Sequence, residues 1–265
     1  MKISIITVNY NDAVGLEKTI RSVVSQSYQD KEYIVIDGNS SDGSVEIICK
    51  YSNYISKWVS EPDSGIYNAM NKGIRMATGD YCIMMNAGDV FFSSKVLSEV
   101  SRVINGGKDV YNGNAFYVNG KGAIDWYRKG HKDVSLRHFY RSSICHQATF
   151  IKTSLLKNYL YDETLRMVSD WKFWIQAICL GGASYQAMDI DICCFNTEGV
   201  TTTQSELGRR EREQVLEELL PPETLDKCRK TSSLGKFEYL RKGLKRRFWL
   251  YYARIFKTNQ VRRVI

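Results

Sequence analysis

Proline is scarce in this chain: three occur in 265 residues, and two of them are the adjacent pair Pro221-Pro222. No low-complexity run or internal repeat accompanies them. No uncharged apolar run approaches the ~20 residues that span a bilayer, which excludes a transmembrane helix as a reading of the sequence. The start, Met1-Lys2-Ile3-Ser4, opens a brief apolar stretch broken by Asn9, Asn11 and Asp12, so it lacks the apolar core and cleavage site of a signal peptide. The expected location is therefore the cytoplasm, or the inner face of the cytoplasmic membrane. Seven cysteines show no paired spacing, and no Cys-x-x-Cys or matched histidine pair is present. That argues against a disulfide framework or a zinc site and for reduced thiols. A phosphate-binding glycine loop is also missing, since Asn9–Gly15 offers no basic, glycine-rich segment after the first strand.

What is present is a globular composition, 43% hydrophobic and 12% aromatic. The net charge of +8 is uneven: residues 236–265 carry ten Lys/Arg and one Glu, leaving the rest of the chain close to neutral. In that tail Phe237, Leu240, Leu244, Phe248, Tyr251 and Ile255 recur every three or four residues, with Arg241, Lys242, Lys245 and Arg246 largely off the stripe. This is the pattern of a basic amphipathic helix suited to anionic lipid headgroups; a helix docked on the body with a solvated basic face is the plainer alternative. No nucleic-acid module accompanies the charge, so no nucleic-acid partner is expected.

Three apolar runs in the first ninety residues each finish in polar or acidic side chains. Ile3–Val8 leads into Asn9-Tyr10-Asn11-Asp12, Tyr33–Ile36 into Asp37-Gly38-Asn39-Ser40-Ser41-Asp42-Gly43, and Tyr81–Met85 into Asn86-Ala87-Gly88-Asp89. Helical patterns follow over 13–26, 44–51, 66–77 and 94–104, and a short strand over 54–59. The alternation predicts an α/β fold with a mostly parallel sheet and helices on both faces. Ligands bind beyond the carboxyl ends of such strands. The second half predicts strands at 109–118, 144–151, 183–188 and 190–195, helices at 169–180 and 206–220, and a boundary at Pro221-Pro222 before the basic tail.

The chemistry-bearing residues lie at those strand ends. Asp89, on a tight Asn-Ala-Gly-Asp turn, is placed to hold a divalent cation against a diphosphate, although an Asp in a strand-to-helix turn is also ordinary capping. Asp37 and Asp42 flank a turn and can accept hydrogen bonds from a base or ribose, or serve the turn alone. Asp63 can cap the helix at 66–77 or hold a ribose; Asn71 and Lys72 lie on that helix within reach of a base or phosphate. Asp170, beside Trp171 and Trp174, can deprotonate a sugar hydroxyl as a general base or simply favour a helix N-terminus. His146 can be a base, a ligand or a core residue, and Gln147 can meet acceptor hydroxyls.

Taken together, Ser4–Asn11, Tyr33–Gly43, Ser60–Ile74 and Met85–Asp89 resemble bacterial family-2 glycosyltransferases with the GT-A fold, especially those of exopolysaccharide and O-antigen assembly, including colanic-acid-type enzymes. The resemblance is dense over 1–100 and thinner to about 205. It implies a GT-A domain over 1–220, with a nucleotide-sugar-binding half at 1–104 and an acceptor-binding half at 105–220, and a basic helical tail over 221–265. It implies that Thr7, Asn9, Asp37, Asp63, Asn71 and Lys72, with Asn86, Ala87 and Gly88, bind the nucleotide-sugar. Asp89 would hold Mn²⁺ or Mg²⁺, Asp170 would be the catalytic base, and His146, Gln147 and Trp171 would contact the acceptor.

Two departures stand out: many members carry paired aspartates where this chain has Asp37-Gly38 and Gly88-Asp89, and Ser169 stands where an acidic residue is frequent. The expected activity is inverting transfer from a nucleotide-sugar, UDP-linked for preference, to a lipid-linked oligosaccharide, with the tail on an anionic membrane surface. A sugar-nucleotide nucleotidyltransferase and a non-catalytic binding or scaffold protein are the alternatives; the second requires Asp89 and Asp170 to lie far apart.

Overall fold

The computed structural model describes residues 1–119, 123–196 and 205–233, with Lys257 and Val261. Its centre is β1 (Ile3–Asn9), seven residues buried without exception. Such a run, rich in β-branched side chains, suits a strand covered on both faces. β2 (Lys31–Asp37) and β4 (Tyr81–Met84) pair with it in parallel on either side, and β3 (Lys57–Ser60) extends the sheet beyond β2.

Past β4 the sheet changes character. β8 (Thr149–Lys152) runs antiparallel to β4, and β6 (Val110–Val118) antiparallel to β8. β9 (Tyr185–Asn196) then pairs with β6 in parallel, β5 (Val90–Phe91) caps the edge against β9, and β7 (Ile124–Arg128) forms a ladder with β6. The expected parallel sheet is thus realised in the first half and becomes mixed in the second.

The helices fall into two layers. α1 (Ala13–Val24), α2 (Ser44–Lys50) and α4 (Val96–Val103) bury Leu16, Ile20, Ile48 and Leu97 on one face. α3 (Ile66–Met76), α6 (Thr153–Tyr159), α7 (Ser169–Trp174), α8 (Ser205–Leu219) and α9 (Pro222–Ser233) bury Met70, Leu156, Trp174, Val215 and Leu225 on the other. α5 (Leu136–Arg141) adds Phe139 to that second core. This is the three-layer α/β arrangement that the alternation predicts.

Several elements differ from the sequence reading. The strand expected within 144–151 starts only at Thr149, behind a 3₁₀ turn at His146–Ala148. The two pieces expected at 183–188 and 190–195 are one twelve-residue strand. The helix expected over 169–180 changes winding at Ile175, and its last six residues form a π-helix. β5, β7, α5 and α6 are too short to show a period in sequence. Pro222 opens α9 at the first helical position, where a missing N–H costs nothing, and Leu225 is buried with Leu216 and Leu220.

Nearly all of the tail expected at 236–265 lies outside the described residues. Two tail residues are described, and both meet the body. Lys257 Nζ lies 2.9 Å from Asp191 Oδ2, and Val261 is fully buried in the first core.

At the amino ends of the strands, Glu32 ties three segments together. Its carboxylate accepts from Ser4 Oγ at 2.7 Å, from the Thr78 amide at 2.8 Å and from Thr78 Oγ1 at 2.9 Å, with Lys57 Nζ at 3.1 Å. Burial pushes this carboxyl up, but the hydrogen bonds from Ser4, Thr78 and Lys57 outweigh it and bring the pKa to about 2. The carboxylate therefore stabilises the fold fully above the ordinary Glu range, and that stability is lost as pH falls towards 2. Glu32→Gln is expected to lower unfolding free energy at neutral pH by on the order of 2 kcal/mol and to flatten the acid limb. Denaturant titrations at pH 7 and pH 3 measure both, and an unchanged acid limb refutes the assignment.

Candidate active site

Because β1, β2, β3 and β4 are parallel, their carboxyl ends share one rim. β8 is antiparallel to β4, so its beginning reaches the same rim. The site is assembled from this coincidence.

The chain leaves β4 through the turn Asn86–Asp89, closed by a hydrogen bond from the Asp89 amide to the Asn86 carbonyl at 3.0 Å. Its third residue, Gly88, has φ +90°, a conformation in which a side chain is strained. That accounts for glycine where an aspartate is frequent in the family the chain resembles. Thr19 of α1 pins the turn: its hydroxyl accepts from the Gly88 amide at 3.0 Å and donates to the Asp89 carbonyl at 2.7 Å. No motif marks Thr19 in the sequence; only its place on the buried face of α1 does.

Asp89 is 3% exposed, and its Oδ2 accepts from Gln147 Nε2 at 3.2 Å. Cys145 Sγ donates to Gln147 Oε1, also at 3.2 Å, which fixes the amide's orientation. The adjacent residue, His146, turns the other way, and its Nδ1 lies 3.2 Å from Asp170 Oδ2. Asp170 Oδ1 accepts from the Tyr67 hydroxyl at 3.2 Å. One 3₁₀ turn thus touches both carboxylates. Burial pushes the Asp170 carboxyl up, but His146, the Trp171 amide and Tyr67 outweigh burial and hold it below the ordinary range. Burial likewise disfavours charge on His146, but Asp170, with Cys145 and Asp89, raises its pKa.

Helix α8 grips the segment that carries Asp170. The Glu211 carboxylate accepts from the Arg166 and Met167 amides at 2.8 and 2.9 Å. Lys172, buried on α7, reaches Asp162 Oδ2 at 2.7 Å and both oxygens of Glu218 at 2.7 and 2.8 Å. Arg212 lies over the Trp171 ring, 4.8 Å from its centroid.

The remaining expected site residues fall into two groups. Asp37 is fully buried and its carboxylate accepts from Asn9 Nδ2, Ser40 Oγ, the Ser40 amide and Ser60 Oγ at 2.6–2.9 Å. Asp37 and Asn9 therefore build the rim from beneath. Asp63 is half-buried, and its Oδ1 accepts from the Gly65 amide at 2.9 Å. A side chain at Gly38 would place its Cβ 2.5 Å from Asp63 Oδ2, so Asp63 occupies the room that a second aspartate at 38 would need.

Several side chains expected to contact substrate are engaged inside the protein. Thr7 is fully buried against the Tyr33 hydroxyl at 3.1 Å. Asn71 clamps the backbone of Tyr161, donating to its carbonyl and accepting from its amide at 2.8 Å each. Lys72 closes its own loop through Glu61 at 2.8 Å and the Pro62 carbonyl at 2.9 Å. Trp171 is 1% exposed and donates Nε1–H to the Phe139 carbonyl at 2.7 Å, and Gln147 faces Asp89.

Among the described residues no group of three or more His, Cys, Asp or Glu side chains converges as a metal cage. The Asn86–Asp89 turn nonetheless fits a cation that takes most of its ligands from a diphosphate and water. It carries the Asp89 carboxylate, and the buried Asn86 Oδ1 has no hydrogen-bond partner among the described residues. Both are the hard oxygen donors that Mg²⁺ and Mn²⁺ prefer.

The family model for glycosyl transferase family 2 matches residues 4–169. An uncharacterized glycosyltransferase of Mycobacterium tuberculosis is 33% identical over 202 residues, covering 75% of this chain and 76% of that protein. The crystal structure of S. aureus TarS 1-349 in complex with UDP-GlcNAc superposes with a TM-score of 0.66 at 21% identity, over 86% of this chain and 70% of that one. A mannosyltransferase from Pyrobaculum calidifontis, in complex with GDP-Man and Mn²⁺, gives 0.55 at 16% identity, over 73% of this chain and 56% of that one. These likenesses agree in fold with the rim described above. Against another structure of TarS 1-349 the chain spans 60% of the length.

Thr19→Val keeps the shape of the side chain and removes the hydroxyl that holds the Asp89 turn. It is expected to cost about 1–3 kcal/mol, the range for stranding a buried polar group, in chemical denaturation. Unchanged stability would show that the turn stands without this pin.

Proposed function

The chain belongs to glycosyl transferase family 2, and on that premise we propose that it moves a sugar from a nucleotide-sugar, UDP-linked for preference, to a hydroxyl of a lipid-linked oligosaccharide with inversion at the anomeric carbon. The observation that carries this reading is the 3₁₀ turn at His146–Ala148, which contacts Asp89 through Gln147 and Asp170 through His146. It sets a candidate diphosphate-side carboxylate and a candidate base on either side of one rigid element. A non-catalytic scaffold has no need of that juxtaposition.

In this mechanism Asp170 accepts the proton of the acceptor hydroxyl. Its carboxyl is held below its ordinary range, so it is ionised at neutral pH as a base must be. Tyr67 and His146 fix the plane of the carboxylate before the acceptor arrives, which removes a reorganisation cost from the reaction. The acceptor oxygen forms its bond to the anomeric carbon as the bond to the diphosphate breaks on the opposite face. Asp89 and Asn86 Oδ1, on the same turn, would hold Mn²⁺ or Mg²⁺, which when bound would neutralise charge on the departing diphosphate. The Mn²⁺ in the mannosyltransferase complex supports this use of a divalent metal. The UDP-GlcNAc in the TarS complex supports the donor class.

The test is direct. Asp170→Asn is expected to reduce transfer by about 10²–10⁴-fold, the range for losing a positioned base, while UDP still protects the protein against thermal unfolding in the presence of Mn²⁺. Near-normal turnover would sink the base assignment, and a product of retained anomeric configuration would sink the single displacement.

The basic segment at 236–265 supports a peripheral site on the inner face of the cytoplasmic membrane, where a lipid-linked acceptor is presented. Lys257 and Val261 dock on the body, so truncation would disturb the core as well. Replacing Arg241, Lys242, Lys245 and Arg246 by Gln is the cleaner change. It is expected to release the protein from phosphatidylserine vesicles without lowering its melting temperature; unchanged partitioning refutes the membrane role.

A further inference from the structure

The family resemblance implies Gln147 at the acceptor, but the structure turns it to the other side of the site. It is the middle residue of the 3₁₀ turn and is 3% exposed. Its Nε2 lies 3.2 Å from Asp89 Oδ2, and its Oε1 lies 3.2 Å from the Cys145 thiol. The amide is thus held between two buried side chains. Chemistry sets its orientation as well. A carboxylate that holds a cation is ionised and can only accept hydrogen bonds. The amide therefore presents its NH₂ to Asp89 and its oxygen to the thiol.

The support beneath Gln147 is a chain of hydrogen bonds from the sheet. Asn112 of β6 donates from Nδ2 to Thr149 Oγ1 at 2.9 Å, and Thr149, which opens β8, donates to the Cys145 carbonyl at 2.6 Å. The Ala148 amide donates to the same carbonyl at 3.1 Å. Two strands therefore fix the backbone from which Gln147 reaches Asp89.

Asp89 needs such a hold. Gly88 leaves the Asn86–Asp89 turn with a single carboxylate, so a cation there depends on where that one group points. The last torsion of an aspartate is broad and sets no plane by itself. An amide donor at Oδ2 sets it without adding charge. A lysine or arginine in its place would neutralise Asp89 and repel the cation.

We propose that Gln147 is the positioning residue of Asp89: its amide sets the plane of the carboxylate for a divalent cation bound with the donor's diphosphate, so that Gln147 governs cation-linked donor binding and not the acceptor. This rests on the transferase reading above and on the assignment of the cation to Asp89. Hydrogen-bond partners that orient a metal-binding group are worth about 10–100-fold in metal affinity.

The experiment measures UDP affinity of the full chain by calorimetry, once with Mn²⁺ and once with EDTA. The ratio of the two is the gain due to the cation. Gln147→Met keeps the length of the side chain and removes its N–H donors. It is expected to reduce the gain by about tenfold or more. Gln147→Asn keeps the amide but is one methylene too short to reach Asp89, and the same loss is expected. UDP affinity in EDTA, which also reports that each variant is folded, is expected to change less than about threefold. A role confined to packing would leave the ratio unmoved, because the ratio compares one protein with and without the cation.

A smaller loss of the gain in either folded variant overturns the proposal. So do equal losses of UDP affinity with Mn²⁺ and with EDTA, because the amide would then serve the nucleotide and not the carboxylate. Failure of the unaltered chain to gain affinity from Mn²⁺ would instead strike the cation at Asp89, and failure to bind UDP at all would strike the transferase reading; the proposal would fall with either.

Discussion

The structure depends on one short turn. His146 and Gln147 are neighbours in a single 3₁₀ turn, yet their side chains diverge to Asp170 and Asp89. The turn cannot shift for one carboxylate without shifting for the other. It is anchored from below by Thr149 Oγ1, which donates to the Cys145 carbonyl at 2.6 Å, and by the Ala148 amide to the same carbonyl at 3.1 Å. Its position follows from topology. Only an antiparallel β8 beside β4 brings the start of one strand to the carboxyl end of the other. The change from parallel to antiparallel pairing in mid-sheet is therefore what brings one element into contact with both carboxylates.

The second constraint comes from beyond the span of the family match, which ends at residue 169. Asp170 lies in the first turn of a six-residue helix with no side-chain cap, and so short a helix orders little by itself. Its position is set from outside. Glu211 takes the two amides of the preceding loop, Lys172 bridges to Asp162 and Glu218, and Trp171 is fastened to the Phe139 carbonyl. Burying Lys172 disfavours its charge, but Asp162 and Glu218 more than offset this and raise its pKa. A buried cation between two carboxylates adds little net stability but strongly fixes geometry, and here the geometry fixed is that of the proposed base.

Much of the first half was legible in the sequence because parallel strands buried on both faces read as continuous apolar runs that end in polar turns. The carboxylates Asp89 and Asp170 stand out for the same reason: each follows or opens a patterned element. The second half was less legible because its short strands and helices are fixed by tertiary pairing, which leaves no period. Side-chain roles were legible least. Asn71 and Lys72 read as helix polars within reach of a base or phosphate, yet one clamps the Tyr161 backbone and the other closes the loop at Glu61 and Pro62. An amide and an amine carry no mark in sequence of whether they face a ligand or a carbonyl ninety residues away.

The two places where the chain departs from paired aspartates have different physical causes. At Gly88 the backbone conformation excludes a side chain, so the turn is built for approach and carries its charge on Asp89 alone. At Gly38 the backbone is ordinary and the obstacle is steric: the Asp63 carboxylate stands where a side chain would go. The second departure is thus an exchange, in which a carboxylate on the loop before α3 takes the place of one on the strand end. A loop carboxylate sits on a more adjustable support than one on β2, because among the described residues Asp63 accepts from the Gly65 amide alone while Asp37 is gripped by four donors. The rigid carboxylate orders the rim from beneath, and the less tied one stands at its edge.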